Sequence, residues 1–167
     1  MSNYFQGNNE HPRHLSVGAV VLNDKNKVCC HHFTKANVSG YWPDEGLDDF
    51  YILMRETLEP NESLEKALER GLMEEFGITA EIVDYLGSRI GRFVHKSIEV
   101  EKTTVYFLCC LQSQDESLRD TSDIEGQSKI EWHGPDFLIP IMKEQTAKFK
   151  RTDVDESAIL EKLKLLP

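Results

Sequence analysis

The sequence has 167 residues, of which 40% are hydrophobic and 29% are charged, a composition typical of one globular domain with a sizeable core. Its 29 acidic and 19 basic residues give a net charge of −10, which argues against binding of nucleic acid or a membrane surface through a basic face. No apolar run is long enough to cross a bilayer and no secretory pattern opens the chain, so a cytoplasmic protein is expected.

The first predicted elements form a hairpin behind a polar N-terminal segment. Residues 1–13 are expected to be a flexible tail, and residues 14–167 a single domain. Apolar segments at 15–22 and 28–33, separated by a polar turn, predict two paired strands. Glycine and proline residues then predict a loop over 34–49.

The clearest element is a helix predicted over residues 63–76. A short apolar strand at 50–54 and a glutamate-rich loop at 55–61 precede it. Gly77 follows it, at the position where a left-handed residue commonly ends a helix. Its apolar side chains recur at helical spacing, and they are Leu64, Ala67, Leu68, Leu72 and Phe76.

The second half of the chain mixes strands and helices without strict alternation. This order favours an α+β architecture, in which helices pack on a mixed sheet. The predicted elements are strands at 80–94, 103–111 and 129–132, a polar loop at 112–128, and helices at 135–144 and 155–165.

Glutamates are concentrated in the predicted helix and the loop before it. At about 100° per residue, Glu75 lies within the apolar stripe of the helix, and Glu74 lies at its edge. A carboxylate on a core-facing stripe is costly unless it is paired or binds a metal. Two adjacent oxygen donors suit Mg²⁺ or Mn²⁺. The seven glutamates are Glu56, Glu59, Glu62, Glu65, Glu69, Glu74 and Glu75.

The segment 56–78, ETLEPNESLEKALERGLMEEFGI, resembles the signature of the Nudix family, G-x5-E-x7-R-E-U-x-E-E-x-G-U, where U is a bulky apolar residue. The resemblance implies an α/β/α sandwich with a mixed sheet around a loop–helix–loop motif. It also implies a Mg²⁺- or Mn²⁺-dependent hydrolase that cleaves a phosphoanhydride bond. The matching residues are Glu62, Arg70, Leu72, Glu74, Glu75, Gly77 and Ile78.

The resemblance also assigns roles to these positions. Glu74 and Glu75 would hold the metal and act in catalysis, together with the backbone carbonyl of Arg55. Arg70 would act beside them and pair with Glu62, a structural partner. Gly77 would be structural as the residue that ends the helix.

Two positions depart from the signature. Glu56 stands where the family has glycine, and its side chain is a candidate metal ligand or general base. Gly71 stands where the family has a glutamate that acts as a metal ligand or base. The loss of that carboxylate leaves the efficiency of catalysis open.

Downstream, Glu125-Gly126-Gln127 before Trp132 resembles a segment of MutT-type pyrophosphatases that places its glutamate near the metals. Glu125 is therefore a candidate for the missing ligand or base, although an ordinary loop glutamate is an equal alternative. Asp155 matches a position that reads a purine base in those enzymes, while a helix N-cap is the simpler interpretation.

The arginines and histidines are weaker candidates for site residues than the glutamates. Arg89 and Arg92 lie on a predicted strand and are candidates for binding substrate phosphates, with an exposed strand face as the alternative. None of the six histidines has a metal-ligand spacing, so each is interpreted as packing or surface.

The sequence thus predicts a metal-dependent pyrophosphatase for a nucleoside diphosphate linked to another group, with a purine nucleoside triphosphate as one candidate substrate. The main alternative is a catalytically weak or inactive Nudix-fold module that binds a nucleotide and has a regulatory role. A protein-interaction domain without a ligand is a third. The expected partner is a small-molecule nucleotide, not nucleic acid or membrane, and homodimers are common in the family.

Overall fold

Seven strands form one curled mixed sheet in the computed structural model, which describes residues 5–7, 10, 12–40 and 42–166. The strands are β1 (Arg13–Leu22), β2 (Val28–Phe33), β3 (Phe50–Ile52), β4 (Met54–Thr57), β5 (Ile78–His95), β6 (Ile98–Gln114) and β7 (Lys129–His133). The helices are α1 (Leu64–Gly71), α2 (Pro135–Phe149) and α3 (Ser157–Glu161). None of the described helices is both long and apolar enough to span a membrane.

The strand order is β3-β2-β1-β6-β5, with β4 beside β1 and β7 beside β2. β1 runs parallel to β6, and the other pairs are antiparallel. Only Leu53 separates β3 from β4, yet the two strands pair with different neighbours. The chain therefore switches partner immediately before Arg55 and Glu56, and these two side chains leave β4 on opposite faces.

Alternate residues of the strands contribute to a core on each face of the sheet, and a third cluster forms around Phe33 and Phe50. Val17 and Ala19 pack with α1 on one face of the sheet. Val20 and Leu108 pack with α2 and α3 on the other, where Leu138 is fully buried. Helices on both faces of a mixed sheet confirm the α/β/α sandwich expected from the sequence.

The predicted elements differ from the structure mainly at their ends. The helix predicted over 63–76 is α-helical only to Gly71 and continues as a π-helical turn, Leu72–Phe76. Residues 55–57, predicted as loop, belong to β4 instead because they pair with β1. The predicted tail lies partly outside the described residues, and within it Phe5 packs against the core around α1.

Candidate active site

A cavity of about 450 Å³ lies at the end of the sheet where β1, β4 and β6 meet the loop before β7. Its walls carry charged side chains from separate elements. Glu56, Glu75 and Glu125 supply carboxylates, and Arg55 and Lys102 supply cations. A concave pocket with converging groups of opposite charge is the expected form of a site for a small polar ligand.

Glu75 projects into the cavity from the π-helical turn, with only 6% of its surface exposed. A hydrogen bond of 2.6 Å joins its Oε2 to Nε2 of His31, which is fully buried on β2. The other imidazole nitrogen lies 2.6 Å from Oγ of Ser128. Burial raises the pKa of Glu75 and lowers the pKa of His31, so burial favours a pair in which both partners are uncharged.

Arg70 connects the carboxylates that surround α1. Its Nε and Nη2 donate to both carboxylate oxygens of Glu62, at 3.0 and 2.9 Å. Its Nη1 lies 3.1 Å from Glu56 and 3.5 Å from Glu74. A second bond from Nη2 reaches the carbonyl of Thr57 at 2.9 Å. The guanidinium thus ties the start of the motif, through β4 and the following loop, to the helix.

Glu125 enters the cavity from a short 3₁₀ turn, Glu125–Gln127. Burial, followed by repulsion from Asp123, raises the pKa of its carboxyl group. Arg119 holds this turn in place because it donates to the carbonyls of Glu75 at 2.6 Å and Glu125 at 3.1 Å. The same side chain therefore fixes the distance between the two segments that carry these carboxylates.

The opposite wall holds two cationic side chains. Arg55 is buried on β4, with 7% of its side chain exposed, and Nη1 donates to the carbonyl of Asp153 at 2.6 Å. Its Nε is a buried nitrogen without a hydrogen-bond acceptor among the described residues. Lys102 lies nearby on β6, and within the described part of the chain no hydrogen bond or ion pair reaches its ammonium group. Burial, followed by repulsion from Arg55, lowers the pKa of Lys102 to about 8.

His14 adjoins these cations and makes the stability of the fold depend on pH. Its Nε2 lies 2.7 Å from Oγ1 of Thr57, and burial, followed by repulsion from Lys102 and Arg55, lowers its pKa from 6.5 to about 2. The unfolded chain therefore binds one more proton below pH 6.5. The contribution of His14 to stability is present above pH 6.5 and is lost as the pH falls.

We expect the His14→Gln variant to lack this dependence, which amounts to about 1.4 kcal/mol per pH unit for one proton. Urea unfolding at pH 6.0, 5.0 and 4.5 would measure it as a shallower decline in the variant than in the wild type. Parallel declines in the two proteins would contradict a neutral His14 in the folded state.

The other predicted site residues lie outside this cavity. Glu74 is half exposed. Arg89 donates to the carbonyl of Thr152 at 3.0 Å, and the exposed Arg92 pairs with Glu101 at 3.0 Å. These two arginines do not line the cavity, and their phosphate-binding role stays a prediction.

The remaining assignments concern chain conformation. Asp155 accepts bonds from the backbone N–H and the hydroxyl of Ser157, but the N-cap of α3 is Glu156, so Asp155 lies one residue before the predicted capping position. Gly77 has φ +63° and ends the π-helical turn in the left-handed conformation. A Cβ there would collide with the carbonyl of Asp115. Arg55 lies opposite Gly18 of β1, so its backbone belongs to the sheet.

Several residues of the site could not be singled out from the sequence. His31 is buried and packs against Phe76, in line with its interpretation as packing or surface, but no sequence pattern indicated its hydrogen bond to Glu75. Arg119 and Lys102 lie in a loop and a strand without any local pattern. The sequence did give one signal. Glu75 lies on the apolar side of its helix, and a buried carboxylate requires a partner.

The carboxylates of the cavity have the donor atoms that a divalent metal requires, but they are not arranged as a complete site. Among the residues that the structure describes, no group of three or more histidine, cysteine, aspartate or glutamate side chains is arranged to hold a metal ion. The donors themselves are hard oxygens of the kind Mg²⁺ prefers. Burial, followed by repulsion from Glu125 and Glu56, raises the pKa of Glu75, and a cation would remove that repulsion. The donor chemistry therefore fits, while His31 and Arg70 engage two of the donors.

Comparisons with known proteins identify the family and the fold of the chain. The family model described as the NUDIX domain matches residues 12–152. A comparison with curated protein sequences finds no match.

Similar solved structures share the fold at low sequence identity. A NUDIX hydrolase from Nitrosomonas europaea has a TM-score of 0.63 and 17% identity, and the match covers 90% of this chain and 88% of that one. The ORF135 protein of E. coli has a TM-score of 0.53 and 17% identity, with 92% and 90% covered. A MutT protein from Methanosarcina mazei Go1 has a TM-score of 0.51 and 16% identity, with 83% and 94% covered.

Proposed function

We propose that this chain, which belongs to the NUDIX domain family, is a Mg²⁺- or Mn²⁺-dependent hydrolase of a nucleoside diphosphate linked to another group. A small-molecule nucleotide, such as a purine nucleoside triphosphate, is the proposed substrate. A cytoplasmic location and a homodimeric assembly stay predictions from the sequence.

One observation carries this proposal. Three carboxylates and two cations from different elements converge on one cavity, and at least one of the carboxylates is almost fully buried. A buried carboxylate is costly unless it is paired, and His31 supplies a partner for one oxygen of Glu75. A diphosphate and its metal would complement both walls at once, since the metal suits the carboxylates and the phosphate oxygens suit Arg55 and Lys102.

In the proposed mechanism, a bound divalent cation would be held by Glu56 and Glu75, where it would lower the pKa of water and neutralise phosphate charge. The protein's own groups have separate tasks. Arg55 and Lys102 orient the phosphates by donating to their free oxygens. Glu125, with its raised pKa, is placed to accept a proton from the attacking water and retain it. Arg70, which also lines the cavity, holds the carboxylates of Glu56 and Glu62 in place.

A nucleotide-binding module without efficient catalysis is the second candidate. It is favoured by two observations: residue 71 is a glycine, and the described residues hold no ready group of three metal ligands. The module would bind the same class of ligand through the same cavity, so ligand binding alone does not separate the two functions.

Turnover does separate them. We would incubate the protein with nucleoside triphosphates, oxidised purine nucleotides, ADP-ribose, dinucleoside polyphosphates and NADH, with Mg²⁺, Mn²⁺ or EDTA, and measure phosphate and pyrophosphate release. We expect metal-dependent turnover that falls at least about 100-fold in Glu75→Gln. The exposed Glu65→Gln on α1 is the matched control. Absence of turnover, together with stabilisation by one of these ligands, would instead support the binding module.

A further inference from the structure

The two positions that depart from the family signature touch each other in the fold. A Cβ built on Gly71 would lie 2.6 Å from Cβ and 3.1 Å from Cγ of Glu56, and 2.8 Å from Sδ of Met54. Carbon atoms do not approach so closely without a shift of the structure. A side chain at position 71 and the side chain of Glu56 therefore compete for one space, and Glu56 fills it.

The carboxylate of Glu56 is directed toward the site. It lines the same cavity as Glu75, lies 3.1 Å from Nη1 of Arg70, and accepts the backbone N–H of Thr57 at 2.9 Å.

We propose that Glu56 supplies, from strand β4, the metal-binding carboxylate that α1 lacks at position 71. The loss at Gly71 and the gain at Glu56 form one reciprocal exchange, because a large side chain fits at only one of the two positions. This inference rests on the proposed function for the presence of a metal, and it adds that Glu56 can be a ligand only because position 71 is a glycine.

The first test is a thermal-unfolding cycle of Gly71→Ala, Glu56→Gly and the double variant. We expect Gly71→Ala alone to lower Tm by roughly 3–10 °C, because the added methyl group collides with Glu56. In the Glu56→Gly background the same change should lower Tm clearly less, because only Sδ of Met54, at the end of a flexible side chain, still opposes the methyl group and alanine favours the helix. Equal shifts of Tm in the two backgrounds would overturn the exchange.

The second test measures Mn²⁺ binding by calorimetry, which requires no turnover. We expect Glu56→Gln to weaken Mn²⁺ binding at least about tenfold, and the double variant Glu56→Gly/Gly71→Glu to restore it to within about threefold of the wild type. The exposed Glu69→Gln on α1 should bind as the wild type does. Unchanged affinity in Glu56→Gln would overturn the proposal whatever the thermal cycle gives.

The two tests also separate this inference from the proposed function. Coupled Tm shifts and weakened Mn²⁺ binding in a protein that hydrolyses no substrate would support the exchange and reject the enzyme. Metal-dependent turnover that persists unchanged in Glu56→Gln would support the enzyme and reject the exchange.

Discussion

Replacing Glu156 with alanine is expected to lower the free energy of unfolding by about 3–5 kcal/mol. The side chain is fully buried next to the cavity wall. Its carboxylate accepts the backbone N–H of Leu53 at 2.6 Å and the hydroxyl of Tyr106 at 2.5 Å, and lies 3.7 Å from Nε of Arg55. Its removal leaves two buried donors without an acceptor and reduces the negative charge that balances a buried guanidinium.

Urea unfolding at neutral pH measures this loss. Two variants calibrate it. Glu161→Ala removes an exposed carboxylate that pairs with Lys143, so it should change stability by less than about 1 kcal/mol. Tyr106→Phe removes one of the hydrogen bonds and should cost about 0.5–1.5 kcal/mol. A loss below about 1 kcal/mol in Glu156→Ala would show that water or another donor replaces the carboxylate.

The same cluster shows why the sequence did not reveal the cationic wall. Arg55 is about a hundred positions from both Asp153 and Glu156 in the chain, and they meet because the segment before α3 packs beside β4. Periodicity describes which face of one element is buried. It does not describe which distant element covers that face.

The motif helix was predictable because its information is local. Helical spacing placed Glu75 among apolar side chains, and the structure buries it. The change to a π-helical turn at Leu72 was not predictable, because the apolar pattern continues through it. Within this turn Leu72 and Phe76 both pack into the core around α1, and the left-handed Gly77 ends it.

The arginines of β5 illustrate a different limit. Thr152 covers this strand, since its carbonyl accepts from Arg89 and its N–H donates to the carbonyl of Arg92. A Cβ on Gly91 would collide with Asp153 at 2.5 Å, so the two segments are in close contact. The alternation of side chains along β5 predicts that the strand has two different faces. It does not predict that residues 151–153 pack against the strand.

Lys102 was missed because a single lysine in a strand usually belongs to a solvated face. Here the ammonium group lies in the cavity wall without a partner among the described residues, beside Arg55, whose charge helps to lower its pKa to about 8. Two neighbouring cations repel each other, and such an arrangement costs stability. A bound phosphate would accept from both groups and remove the repulsion.

We therefore expect Lys102→Met to weaken the binding of inorganic pyrophosphate by about 10- to 100-fold, the effect of losing one hydrogen bond to a charged group. Calorimetry at pH 7, with EDTA present, measures this binding without metal or turnover, and at that pH Lys102 is mostly protonated because its pKa is about 8. The exposed Lys129→Met is the matched control.

The stability of Lys102→Met distinguishes a binding role from a structural one. Because no described residue pairs with the ammonium group, its removal should leave the free energy of unfolding unchanged or raise it. A destabilised variant would mean that Lys102 holds the fold together. A stable variant that binds pyrophosphate as tightly as the wild type would place the phosphates elsewhere in the cavity, away from β6.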